Sequence, residues 1–251
     1  SEPIVGTTDD AYIELDAPAI DVEAPISTLS GVQFWALGVG DDGIVLNAGI
    51  DAAAVWLDTY SSLQINASVL TNGGDFEATV SDDITFSATG RIDAEIELVW
   101  GPYFELTVGR EILMADGSEI NARNGEIHLL ADEDITISHL VGEWLVSVFS
   151  RDGSILDGGD SDPDIVSETA DLTAWRFGDV GSAANPLDTD LDELYGEAAG
   201  GFYVNNAGAL DITGDVIDAG GDVYIAVGGP LTVSEPITSN GTVTLSSTST
   251  I

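Results

Sequence analysis

Four aspartates in a short glycine-containing segment are the residues whose type and spacing best fit a chemical role. Asp157, Asp160, Asp162 and Asp164 place four carboxylates within eight residues. Calcium takes six to eight oxygen ligands, and neighbouring glycines let the backbone turn tightly between them. The spacing matches neither an EF-hand loop nor a calcium-binding β-roll repeat, so a solvated acidic loop is the competing interpretation. Calcium is the one cofactor that the sequence suggests.

Other candidates for chemistry carry less weight. The run 132–134 and the alternating Asp188, Asp190 and Asp192 are weaker candidates for binding calcium. Because the chain has 45 acidic residues, a carboxylate pair suited to glycoside hydrolysis would arise by chance. His128 and His139 have no evident third partner, and no G-x-S-x-G, P-loop or HExxH motif occurs. We predict no catalytic residue, and a polysaccharide-active β-helix enzyme is kept only as an alternative.

Aromatic residues are the other possible makers of a site. They could form a surface on which sugars stack, or they could cap the core and pack at corners, which is the commoner role. The residues concerned are Trp35, Trp56, Trp100, Trp144 and Trp175, with Tyr60 and Tyr103.

The charge balance excludes several classes of partner. There are 45 acidic residues against 5 basic ones, all arginines, and the formal net charge is −40. Such a surface repels nucleic-acid phosphates and anionic lipids, while it attracts cations and keeps the molecule soluble. No apolar run approaches the length of a membrane helix. We therefore expect neither nucleic-acid binding nor membrane insertion, and the acidity fits either cation binding or a saline habitat.

Short alternating segments recur along the chain. The elements that they form must position the acidic and aromatic side chains. Each reads apolar, polar, apolar and then a small polar residue, as in 63–66, 84–87, 135–138, 210–213 and 231–234. Ile84 follows Leu63 by 21 residues, Leu231 follows Leu210 by 21, and Phe104 follows Ile84 by 20 in the same phase. Alternation with a period of two indicates strands with one buried face. Turns rich in glycine, asparagine and aspartate separate them.

A repeat of this length fits an antiparallel sandwich or barrel, or a β-helix in which each repeat is one coil. The recurrence of like residues in one phase favours the coil, because stacking then places like on like. We predict an all-β fold, a right-handed parallel β-helix of about 12 coils of about 21 residues. The small polar residues would stand at corners and form ladders up the stack. Residues 110–121, 150–167 and 188–200 are expected to leave the wall, the last with a short helical turn.

A resemblance covers about residues 150–245. The stretch 181–194 (GSAANPLDTDLDEL) and the stretch 200–212 (GGFYVNNAGALDI) resemble a recurring segment of filamentous-haemagglutinin-like giant bacterial adhesins. In that family a G-x-x-x-N-P-L-x-T stretch precedes a G-x-Y/F-x-x-N-x-G-x-L-x-I coil. The resemblance implies a right-handed β-helix on a secreted or surface-attached bacterial protein.

Three functions follow as hypotheses. The first is an extracellular structural or adhesive segment, with cell-surface glycans or proteins as candidate receptors. The second is a filament subunit that stacks end to end on neighbouring copies. It rests on the recurrence of the first four residues (Ser-Glu-Pro-Ile) at 234–237, which suggests that the chain begins and ends within coils. The third is the polysaccharide-active enzyme.

Overall fold

The fold was read from a computed structural model, which describes residues 4–6, 12–38, 43–96, 104–159 and 162–249. The described residues form 29 strands and no helix, and about 60% of the chain is strand. No helix with the length and hydropathy needed to cross a bilayer occurs in these ranges. Every pairing between the named strands is parallel, which makes the fold a parallel β-solenoid of about 10 turns with coils of about 21 residues. The predicted architecture is confirmed.

The strands stack in three columns, named here in the order in which a coil visits them. Column 1 is a separate sheet of seven short strands: β3 (Ile20–Val22), β6 (Ile44–Leu46), β9 (Leu63–Ile65), β12 (Ile84–Phe86), β15 (Ile112–Met114), β18 (Ile135–Ile137) and β21 (Ile155–Asp157). Column 2 contains β1 (Ile4–Gly6), β4 (Ile26–Thr28), β7 (Ile50–Ala52), β10 (Ser68–Gly73), β13 (Arg91–Ile96), β16 (Glu119–Arg123) and β19 (Leu140–Gly142). Column 3 contains β2 (Ile13–Ala17), β5 (Val32–Ala36), β8 (Val55–Thr59), β11 (Phe76–Val80), β14 (Phe104–Val108), β17 (Ile127–Ala131) and β20 (Leu145–Ser150).

The cross-section changes in the later coils because strands run through corners. The long strands β22 (Ile165–Ala174) and β23 (Leu187–Ala198) each cover columns 2 and 3. After them, β24 (Phe202–Asn206) continues columns 1 and 2 as one strand, and β25 (Leu210–Ala219) continues column 3. The last coils repeat this arrangement with β26 (Val223–Val227), β27 (Leu231–Val233), β28 (Ile237–Ser239) and β29 (Val243–Ser247).

Alternating side chains build one continuous hydrophobic core inside the coil. In column 3 the inward positions pair from coil to coil, so that Phe34 stacks on Leu57 and Leu57 on Ala78. Leu63 pairs with Ile84 and Leu210 with Leu231, which confirms both 21-residue spacings. The inward residues are almost wholly buried while the outward residues of the same strands are partly or fully exposed. Burial of this apolar column is the main favourable term for the fold.

Coil length varies while the pairing of the named strands stays parallel. Partners in column 3 are separated by as few as 18 residues, between Leu194 and Ile212, and by as many as 28, between Phe76 and Phe104. The expectation that Phe104 follows Ile84 in one phase is wrong, because Ile84 pairs with Ile112 while Phe104 lies in another column. Longer coils also explain why there are about 10 turns where about 12 were expected.

The three segments expected to leave the wall behave differently. Residues 110–121 contain β15 and the first part of β16, and 188–200 contain most of β23, so both run in the wall. The helical turn expected within 188–200 is wrong, because burial in β23 alternates with a period near two and the strand pairs with β22. Within 150–167, the described residues 158, 159 and 162–164 lie between β21 and β22 and belong to neither strand.

A polar ladder forms at the corner that follows column 1, where small polar residues were expected. The Asn66 side-chain amide donates to Asn47 Oδ1 at 2.9 Å. Asn47 Nδ2 in turn donates to Asp21 Oδ1 at 3.0 Å and to Glu23 Oε1 at 2.9 Å. One amide group thus lies between two carboxylates of the preceding coil and screens their repulsion.

We expect Asn47→Asp to lower stability at pH 7 more than Asn47→Ala does. The aspartate removes two donors and adds a third carboxylate beside Asp21 and Glu23, whereas alanine removes the donors and the acceptor for Asn66 without adding a charge. The additional loss should be about 1 kcal/mol or less, because the site is exposed. Urea unfolding monitored by circular dichroism would measure it. The difference between the two variants should disappear at pH 3 or in 1 M salt, and its persistence there would contradict the electrostatic cause.

Candidate functional site

The acidic segment 157–164 begins at the last residue of β21, and the structure describes three of its four aspartates. Asp157 Oδ1 accepts a hydrogen bond from the Gly159 amide at 2.5 Å, which forms a tight turn onto a glycine with φ of 102°. Asp162 is exposed, and Asp160 lies outside the described residues. Two of the four carboxylates, those of Asp157 and Asp164, therefore accept bonds from backbone amides.

Asp164 belongs to the wall of the solenoid. Its side chain is 1% exposed, and its Oδ2 accepts a hydrogen bond from the Asp188 amide at 2.9 Å. Its backbone continues column 2, since its amide donates to the Asp188 carbonyl and its carbonyl accepts from Leu140, each at 2.7 Å. Asp164 therefore links three successive coils.

A metal site is not formed by the residues that are described. Within those ranges, no group of three or more histidine, aspartate or glutamate side chains is arranged to hold an ion. Because Asp160 lies outside the ranges, calcium binding by the four aspartates stays a prediction.

Three of the weaker acidic candidates have partners in neighbouring coils. Asp132 Oδ1 lies 2.6 Å from Arg151 Nη1, and Asp134 Oδ1 accepts from the Ser154 amide at 2.7 Å. Asp188 Oδ1 accepts from Asn205 Nδ2 at 3.0 Å. These carboxylates bridge coils.

All five arginines lie among acidic residues and pair with at least one of them. Their ion pairs are Arg91–Glu119 at 2.7 Å, Arg110–Asp83 at 3.4 Å, Arg123–Asp93 at 2.9 Å, Arg151–Asp132 at 2.6 Å and Arg176–Asp152 at 3.4 Å. Asp83 and then Glu133 raise the pKa of Arg110. The partners always come from an adjacent coil, so the few positive charges are used to offset repulsion between stacked carboxylates.

Some stacked carboxylates of the described coils have no arginine partner. Glu77 and Glu105 are register partners on the outward face of column 3. Partial burial raises the pKa of Glu77, and the charges of Glu105, Asp58 and Asp75 raise it further. A raised carboxylate pKa means that the folded state binds the proton more tightly than the unfolded state does. Ionised Glu77 therefore lowers the stability of the folded chain once the pH exceeds the ordinary pKa of glutamate.

Glu77→Gln is accordingly expected to raise the free energy of unfolding at pH 7 by roughly 0.2–1 kcal/mol. The gain should vanish as the pH falls through about 4, where glutamate is protonated in both states, and should shrink in 1 M salt. Glu14→Gln is the matched control, because Glu14 is outward in the same column but stacks on Gln33. Urea unfolding at several pH values measures both, and a loss of stability in Glu77→Gln at pH 7 would contradict the cause.

The two histidines stay apart, and one of them lines a small acidic cleft of about 370 Å³. His139 Nδ1 lies 2.6 Å from the Pro163 carbonyl oxygen, which can only accept, so this nitrogen carries the proton. Asp116, Glu119 and Asp162 also line the cleft. His128 instead contacts Glu126, at 3.2 Å.

The structure places five of the seven tryptophans and tyrosines that sequence analysis singled out. Trp35 and Tyr60 line a cleft of about 360 Å³, where Trp35 Nε1 donates to Asp58 Oδ2 at 3.2 Å. Trp56 packs against Tyr12, with ring centroids 5.9 Å apart. Trp175 packs against Phe149 at 6.4 Å, and Trp144 is half exposed. Trp100 and Tyr103 lie outside the described residues.

A larger cleft lies on the outward face of β24, β26 and β29, and sequence analysis missed it. This tyrosine cleft has a volume of about 630 Å³. Tyr203 and Tyr224 are register partners, and their spacing of 21 residues is the signal that could have revealed them. The lining residues are Ala183, Pro186, Tyr203, Asn205, Asp222, Val223, Tyr224, Thr242 and Thr244.

These columns, corners and clefts define the class of the protein as a parallel β-solenoid with an acidic, partly aromatic surface. Comparison with known proteins adds no narrower assignment: no family model, no curated protein and no solved structure matches the chain.

Proposed function

We propose that the chain is a structural or adhesive β-solenoid segment of a large protein exposed outside a bacterial cell. The observation that supports this is the unbroken parallel pairing from coil to coil, which makes the described chain one continuous body. In such a body each coil contacts only its neighbours, so length is added by repetition. A structure of this kind suits a spacer that holds binding surfaces at a distance.

The surface charge is consistent with this role. With a net charge of −40 and each arginine paired with an acid, the outside repels copies of itself. Like charge on every face keeps an exposed β-rich molecule from aggregating. The same field concentrates divalent cations from the medium around the wall, which is the setting for the calcium site predicted at 157–164.

Surface labelling tests the proposal. Antibodies raised against the purified chain should label intact cells of the producing organism, or detect the protein in the culture medium. Mild protease treatment of intact cells should remove the signal while a cytoplasmic marker survives. Detection only after the cells are broken would contradict an extracellular role.

A further inference from the structure

The floor of the tyrosine cleft is lined by two tyrosines from successive coils. Tyr203, Tyr224 and Thr244 occupy the same outward position in three successive coils. The coil spacing of about 4.8 Å therefore separates the two tyrosine positions along the axis. The Tyr203 ring lies against Gly201, where any side chain would collide with it. The floor is thus positioned by the backbone of the wall.

A bulge in the preceding coil forms one side of the cleft. Val180 pairs with Phe202, and Leu187 pairs with Val204, so residues 181–186 have no place in the wall and project beside Tyr203. The bulge is fixed by its own bonds, since the amides of Ser182 and Asn185 each donate to the other residue's carbonyl, at 2.9 Å and 3.2 Å. Ala183 and Pro186 of this bulge face the cleft.

Polar groups surround the rings. Asp222, Asn205, Thr242 and Thr244 line the cleft beside the tyrosines. Asn205 Nδ2 is fixed by Asp188 Oδ1, and Asp222 Oδ1 is fixed by the Thr242 amide at 2.7 Å. Partial burial, then Asp222 and Asp179, raise the pKa of Tyr203, so its hydroxyl is protonated at neutral pH and can donate. Flat apolar rings are thereby combined with fixed acceptors and donors.

We propose that the tyrosine cleft binds a neutral pyranose oligosaccharide with equatorial hydroxyl groups. Such a sugar presents a C–H face that packs on an aromatic ring and an edge of hydroxyls that bond to carboxylate, amide and hydroxyl groups. The volume of about 630 Å³ is within the range of small-ligand sites. Asp179, Asp188 and Asp222 disfavour uronates, sialates and sulfated sugars, because these would bring like charge into the cleft. The inference rests on the proposed function, because an extracellular location exposes the cleft to such glycans.

Titration calorimetry on the full chain tests this, with cellohexaose and chitohexaose as neutral probes and hexagalacturonate as a charged one. We expect saturable binding of at least one neutral probe and none of hexagalacturonate. Tyr203→Ala and Tyr224→Ala should each weaken binding by about tenfold. Tyr203→Phe keeps the ring and should retain most of the affinity. Tyr60→Ala, which alters the Trp35 cleft, should leave it unchanged.

Circular dichroism and urea unfolding of each variant would show that the fold is retained. The proposal is overturned if neither neutral probe binds, if only hexagalacturonate binds, or if the folded double variant of Tyr203 and Tyr224 binds as well as the unaltered chain. Surface labelling of cells is independent of these titrations. A chain found outside the cell that binds no neutral probe would refute only the glycan site.

Discussion

Replacing Phe104 with alanine is expected to lower the free energy of unfolding by about 3–5 kcal/mol. The ring is fully buried and stacks on Phe76, with centroids 5.1 Å apart and planes 12° apart. Phe104 also pairs with Ile127 in the following coil, so the substitution opens a cavity between three coils. Urea unfolding followed by circular dichroism measures the loss. Thr79→Ala is the control, because Thr79 is exposed on the strand that pairs with β14 and should change stability by less than about 0.5 kcal/mol.

The effect of Phe104→Ala should also be local. Because coils interact mainly with their neighbours, amide hydrogen exchange should accelerate in β11, β14 and β17 more than in β26. A loss below about 1 kcal/mol, or equal acceleration in every strand, would show that the core is not a column of nearest-neighbour contacts.

Asp164→Ala is expected to lower the free energy of unfolding by about 1–3 kcal/mol. The substitution removes a buried acceptor and leaves the Asp188 amide without its side-chain bond. Asp164→Asn keeps an acceptor oxygen and should cost less than alanine. Asp162→Asn is the exposed control from the same segment and should cost less than Asp164→Ala. Equal losses in Asp164→Ala and Asp162→Asn would contradict a structural role for the buried carboxylate.

The same variants test the calcium site predicted for the segment. If the four aspartates hold calcium, the ion should raise the unfolding temperature of the unaltered protein over its value in chelator, and Asp164→Ala should reduce that increase. An unfolding temperature that does not respond to calcium would contradict the site. The stability loss in Asp164→Ala would remain, because it depends on the bond to Asp188.

Strand periodicity made the architecture predictable, while the path of the chain between strands could not be predicted. The alternation around Leu63, Ile84, Leu210 and Leu231 indicated both the buried face and the length of a coil, and their pairings are as expected. Phe104 was assigned to the wrong column because this coil is 28 residues long, so the residue 20 positions after Ile84 lies in column 3 and not in column 1. Spacing along the chain therefore does not tell which column a strand joins.

The candidate site was predictable only where the residues are close in sequence. The acidic segment was visible as a run, but the burial of Asp164 was not, because it depends on Asp188 in the next coil. The ion pairs of the arginines likewise join residues about 20 to 30 positions apart. Tyr203 and Tyr224 depend on contacts between coils in the same way. Neither tyrosine stands out in the sequence, and only the strand register places them side by side.

Pairing between adjacent coils has a mechanical consequence. A pulling force applied to the two ends would act on the hydrogen bonds and apolar contacts of one terminal coil at a time, since more distant coils are coupled only through those between. Each detached coil of about 21 residues would lengthen the chain by roughly 70 Å. The molecule would then yield in a series of small steps, each dissipating energy, and the part still coiled would stay intact under tension.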